Sequence, residues 1–99
     1  MNSYQEEQKI ARRGAIVGYL HQVNGQPANA DILLAVAKGC GIPSYYNEII
    51  AAVSWLEEKG LVQTGGDGDV IIAEITKRGK RLARNEIVDE GVRLPDGGQ

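Results

Sequence analysis

The chain has no phenylalanine, one tryptophan, one histidine and one cysteine. Without phenylalanine, and with only four tyrosines, a core must be built from Ile, Leu, Val and Ala. A lone cysteine, Cys40, excludes an internal disulfide. One Cys and one His cannot complete a soft-metal site within a single chain, so no metal or other cofactor is expected. No apolar run approaches the roughly 20 residues needed to span a bilayer. The opening residues 1–13 lack the basic start and apolar centre of a signal peptide. Together these absences point to a cytoplasmic protein with no membrane partner. Positive charge is also short: the net charge is −2. A duplex-binding domain is usually basic, so any nucleic-acid surface must be a local patch.

What remains is enough for one domain. Apolar residues make up 42% of 99 positions, which supports a single modest core. The chain centres on residues 43–62. There Ile49, Val53, Leu56 and Gly60 recur at intervals of four, three and four, the stripe of an amphipathic helix. Pro43 suits a first helical turn, and Gly60 suits a stop after Lys59. Residues 4–22 predict a first helix, with Ile10, Val17 and Leu20 on one face and Glu6 and Glu7 near its start. Gly14 and Gly18 cost roughly 1 kcal/mol each there, which points to close packing within the chain or to a dimer seam. Asn24 to Pro27 reads as a turn. Asn29 is placed to cap a second helix over residues 30–38. Its short glycine-containing link to the third helix fits a helix-turn-helix.

Two β-type runs follow, 61–64 and 69–75, joined by a loop made of Gly65, Gly66, Asp67 and Gly68. Ile71, Ala73 and Ile75 alternate with Val70, Ile72 and Glu74. Thr76 is placed to cap a last helix over 77–85. Residues 86–99 are weakly patterned. Val88, Val92 and Leu94 are candidates to dock on the domain, and residues 96–99 are expected to be mobile. The expected class is mainly α (α+β), in the order helix, helix, helix, strand, strand, helix.

Two anchors carry a family resemblance. The Leu-Glu-Glu-Lys-Gly-Leu-Val run from Leu56 to Val62 resembles the end of the recognition helix in winged helix-turn-helix regulators of the MarR, ArsR and PadR kind. Ile75 to Leu82 resembles the Leu-Thr-x-x-Gly-x-x-Leu segment at the wing exit of such proteins. With the closing run Gly91 to Pro95, the chain is similar to small winged-helix proteins of Mu-like phages and prophages. The resemblance implies a small DNA-binding transcriptional regulator, dimeric on paired half-sites, whose helix 43–59 reads a major groove.

Carried onto this chain, the outward residues of that helix are Ser44, Tyr45, Asn47, Glu48, Ala51 and Ser54. Asn47 has the paired donor and acceptor that match an adenine edge, while Ser44 and Tyr45 suit phosphates. Tyr46 is expected to be half-buried. Lys77, Arg78, Lys80, Arg81 and Arg84 are five of the eleven cations. Four of them, Lys77, Lys80, Arg81 and Arg84, can share a helical face. That face is either a phosphate clamp or an ordinary solvated surface. Lys9, Arg12 and Arg13 form a second basic stripe, read as solvated. The acidic side of the ledger is plain. Helix 43–59 has no Lys or Arg before Lys59, and Asp67 and Asp69 make the wing acidic. These features favour the competing reading, a protein-interaction or phage assembly module that does not bind DNA.

No catalytic residues are expected. His21, Cys40 and the loop at 65–68 match no nucleophile–base pair and no phosphate loop. Cys40 reads as a packed thiol. Trp55 is expected to pack against the first helix or the tail, with a dimer contact as the alternative.

Overall fold

The computed structural model describes residues 3–66 and 70–95. Four helices and a small antiparallel sheet follow in the order α1 (Tyr4–Gln22), β1 (Ala28–Asn29), α2 (Ala30–Gly39), α3 (Tyr46–Glu58), β2 (Val62–Gly65), β3 (Ile72–Ile75) and α4 (Lys77–Ala83). The architecture is α+β. The expected order omitted β1, which intervenes between the first two helices and pairs through Ala28↔Ala73 and Asn29↔Ile72. Strand order across the sheet is β1-β3-β2.

Each helix start has an identifiable cause. In α1 the Ser3 hydroxyl accepts from the Glu6 N–H at 3.1 Å, and Glu6 and Glu7 complement the exposed N–H groups of the first turn. In α2 the Asn29 side chain accepts from the Ile32 N–H at 2.9 Å, as its position in the sequence implies. In α4 Thr76 Oγ1 accepts from the Gly79 N–H at 3.0 Å and donates to the Gly60 carbonyl at 2.6 Å, tying the helix start to the end of α3. Thr76→Ala removes both bonds. We expect a loss of about 1–2 kcal/mol in urea unfolding, largely restored by Thr76→Ser.

α3 begins later than expected. Pro43 and Ser44 lie outside it, because the Ser44 hydroxyl is drawn inward to other partners. Tyr45 is the cap instead, and the Glu48 carboxylate accepts from the Tyr45 N–H at 2.9 Å. At its other end the chain leaves α3 through Lys59 and Gly60, whose φ of +75° is the left-handed turn that glycine takes without strain.

Ile16, Val17 and Leu20 from α1, Leu33 from α2, Ile49 and Leu56 from α3, and Leu61 and Val62 at the start of the sheet are the fully buried centre. Each such side chain stabilises the fold by roughly 1.5–3 kcal/mol relative to exposure. In β3 Ala73 and Ile75 are buried, while Glu74, and Val70 ahead of the strand, are exposed. The hairpin tip, Asp67 to Asp69, and the tail from Asp96 lie outside the described residues.

Residues 86–95 form no helix or strand, yet they are a strap bound across α1 and α3. The Arg93 N–H donates to the Ile10 carbonyl at 3.3 Å, and Arg13 Nη1 donates to the Gly91 carbonyl at 3.2 Å. Arg93 pairs with Glu7, and Lys59 pairs with Asp89 at 3.7 Å. A Cβ placed on Gly14 would sit 1.7 Å from the Arg93 carbonyl oxygen, and one on Gly18 would touch Pro95. The two glycines therefore serve packing within the chain. Val92 and Leu94 pack on the core, whereas Val88 does not dock and is 86% exposed.

Candidate nucleic-acid interface

The outward face of α3 was expected to start at Ser44. Instead Ser44 is buried. Its Oγ accepts from Arg12 Nε at 2.8 Å and donates to the Ile42 carbonyl at 3.0 Å. With no free donor or acceptor on the surface, it cannot reach a phosphate without breaking this arrangement. Tyr45, by contrast, is 77% exposed, and Asn47, Ala51 and Ser54 are exposed on α3. The Asn47 amide makes no hydrogen bond among the described residues, which leaves both of its functions available. Tyr46, expected to be half-buried against the core, is instead exposed at 43% and is not among the side chains packed on the core.

The largest departure concerns Arg12. Its place beside Lys9 and Arg13 suggests a solvated stripe, but it is only 3% exposed. Nη2 donates to the Pro43 carbonyl at 3.0 Å and lies 3.6 Å from the Glu48 carboxylate. Arg12 thus ties α1 to the link that launches α3. The signal was present in the sequence: Arg12 stands four residues before Ile16 and eight before Leu20, on the buried stripe.

Arg13 is likewise engaged. Its guanidinium lies 4.1 Å from the centre of the Trp55 ring, and Lys59 lies 5.2 Å from the same ring. Burial pulls the Arg13 pKa below its ordinary value, opposed by the carboxylates of Glu6 and Asp89. Gly91 sits at the ring edge, so Trp55 packs against both α1 and the strap.

The cations of α4 are placed away from the start of α3. Arg78 Nε donates to the Lys59 carbonyl at 3.1 Å, which sets the beginning of α4 beside the end of α3. Thirteen residues of helix separate that end from Tyr45, about 20 Å at 1.5 Å per residue. Lys77 and Arg81 are exposed, while Lys80 is half-buried near Gly25. Arg81 and Arg84 share one carboxylate, Glu86, at 3.6 and 2.6 Å. The hydrogen bond from Arg84 holds the Glu86 carboxyl below the usual carboxylate range. A depressed carboxylate pKa means that the pairing is complete at neutral pH and is lost only as pH falls through that lowered value. Lys77 and Lys80 have no ion pair among the described residues.

A groove runs between α1 and α3. Lys9, Arg12, Arg13, Glu48, Ala51 and Trp55 line it, and it encloses about 270 Å³. Sequence reading missed it because its two walls are 40 residues apart in the chain. Elsewhere, His21 and the exposed thiol of Cys40 line a cleft beside the strap; Cys40 is not the packed thiol expected. Among the described residues no group of three His, Cys, Asp or Glu could hold a metal ion. No described helix is long and apolar enough to cross a membrane. No protein-family model matches the chain, and no curated protein is significantly similar to it in sequence.

Proposed function

We propose that the chain is a winged helix-turn-helix protein that binds duplex DNA, with α3 as the reading helix and β2–β3 as the wing. The observation that carries this reading is the polar outer face of α3 and its cap, where Tyr45, Asn47, Ala51 and Ser54 stand exposed. The short α2–α3 link and a hairpin directly after α3 support it. Asn47 reads an adenine edge, Tyr45 donates to a phosphate, and Lys77 and Lys80 add phosphate contacts from α4. Ser44 takes no part in this reading, because its hydroxyl is committed to Arg12. A small transcriptional regulator is the role that fits, as a dimer on paired half-sites.

Selection from a random-sequence duplex pool tests this. The expected result is a recovered motif in which one adenine loses its preference in Asn47→Ala, with a cost of about 1–3 kcal/mol. Recovery of no motif by the wild type contradicts sequence reading by α3.

Glu86→Gln provides a separate check on α4. Freed from their carboxylate, Arg81 and Arg84 become available to phosphate. Duplex affinity rises severalfold, and the salt dependence steepens by about one unit of slope per arginine recruited. Unchanged affinity and slope would remove these two arginines from the interface.

The second reading is a protein-interaction or phage assembly module. A specific observation favours it: Arg12, Arg13, Arg81 and Arg84 are all held by partners inside the chain. Absence of duplex binding at low salt, together with a stable protein complex, would decide for it.

A further inference from the structure

We propose that the α1–α3 groove is a docking site for an acidic, partly apolar peptide segment of a protein partner. The argument starts from charge. Arg12 is almost fully buried, yet its two closest acceptors, Ser44 Oγ and the Pro43 carbonyl, are neutral. The one carboxylate nearby, Glu48, stands at 3.6 Å and is already bound to the Tyr45 N–H. Arg13 also gives its hydrogen bond to a neutral carbonyl. Lys9, at the rim, is exposed and has no ion pair among the described residues. Among the residues that line the groove, three cations meet one carboxylate, Glu48, while Glu6 and Asp89 act on Arg13 from outside it.

Shape selects the class of anion. Ala51, Ala52 and the Trp55 ring line the groove beside its charges. A DNA backbone presents phosphates along a convex ridge and has no use for an apolar lining. A peptide can offer both an Asp or Glu side chain to Lys9 and Arg13 and an apolar side chain to Ala51 and Trp55. Pockets of this kind, apolar with a few convergent charges, are where binding energy concentrates. Because Ala51 belongs to both the groove and the outer face of α3, a docked peptide obstructs that face. Such a partner would compete with duplex for the protein.

The test is selection of a random peptide display library on the full chain, with binding read by Trp55 fluorescence. The expected peptides pair Asp or Glu with a neighbouring Leu, Ile or aromatic residue. Lys9→Glu reverses the charge of an exposed lining residue, and Ala51→Gln puts a longer side chain on the lining from an exposed helical position, so neither disturbs the core. Each lowers affinity about tenfold or more, equivalent to 1.4 kcal/mol, with unfolding curves unchanged. Asn47→Ala, outside the groove, leaves peptide binding intact. Recovery of no peptides, of peptides without acidic enrichment, or of peptides bound equally by both variants overturns the proposal. Loss of duplex binding in Lys9→Glu with no peptide recovered assigns the groove to phosphate and overturns it as well. Peptide binding does not depend on DNA binding, so failure of either leaves the other standing.

Discussion

Arg12→Ala is expected to lose about 3 kcal/mol of stability, a large share of the 5–15 kcal/mol typical of a small domain. Two hydrogen bonds from the charged guanidinium disappear, each contributing roughly 1.5–3 kcal/mol. The loss is tempered because Ser44 Oγ keeps its bond to the Ile42 carbonyl. The Pro43 carbonyl must find water, and the buried stem of the side chain leaves a gap between α1 and α3. Glu48 is left without its cationic neighbour but is 41% exposed, so its charge is not stranded. Arg12→Lys recovers little, since one ammonium cannot reproduce the fork that spans Ser44 and Pro43. Urea unfolding measures the loss. Amide exchange locates it, with the greatest loosening expected at residues 42–48. A change below about 0.5 kcal/mol, the range of ordinary surface substitutions, would show that the link to α3 holds itself in place.

Gly14→Val acts on the strap. Any Cβ at this position overlaps the Arg93 carbonyl oxygen, and backbone cannot yield as a flexible side-chain tip does. The helix gains up to about 1 kcal/mol from losing a glycine. Overpacking costs about 1–3 kcal/mol, and residues 91–95 must lift away from α1. Their release also removes the Arg13–Gly91 bond and uncovers one edge of Trp55. The expected outcome is a net loss near 2 kcal/mol, a red shift of Trp55 emission, and protease cleavage in residues 86–95 while α1–α4 stay folded. Gly18→Ala is the control. Its added methyl meets only the Pro95 ring at 3.4 Å, an ordinary contact, so stability should be unchanged or slightly higher. Wild-type fluorescence and resistance in Gly14→Val would mean that the strap does not rest on α1.

Most helices were legible because local signals and tertiary packing agree. Asn29 and Thr76 cap where a short polar side chain precedes an apolar-periodic run, and α1 and α2 begin and end near their expected positions. The start of α3 was not legible. Pro43 and Ser44 look like an ideal helix start, but Ser44 is claimed by an arginine 32 residues earlier, and the cap passes to Tyr45 and Glu48. β1 escaped notice for a related reason. Two residues have no periodicity of their own, and Ala28 and Asn29 are extended because β3 pairs with them. The strap lacks a helical or strand period because hydrogen bonds, ion pairs, the close approach at Gly14 and the separate side chains of Val92 and Leu94 hold it, rather than a periodic apolar stripe.

The candidate site divides in the same way. Tyr45 and Asn47 occupy exposed positions that helical phase alone could assign. The states of Arg81 and Arg84 depend on Glu86, which lies just past the helix in the turn that follows it. Helical spacing shows that four cations can share a face, but it does not show that one carboxylate beyond the helix pairs with two of them. The α1–α3 groove needs two walls distant in sequence, so composition could only count its cations and not gather them.

The most direct test of duplex binding is the slope of log Kobs against log salt concentration for the wild-type protein. With Glu86 holding Arg81 and Arg84, and Arg78 bonded to the Lys59 carbonyl, the α4 cations with neither an ion pair nor a hydrogen bond among the described residues are Lys77 and Lys80. Two phosphate contacts predict a slope of about −2, and charge reversal at both lysines should bring it near zero. No duplex binding at low salt, or binding with a flat slope in the wild type, would contradict the account and leave the α1–α3 groove as the site to pursue.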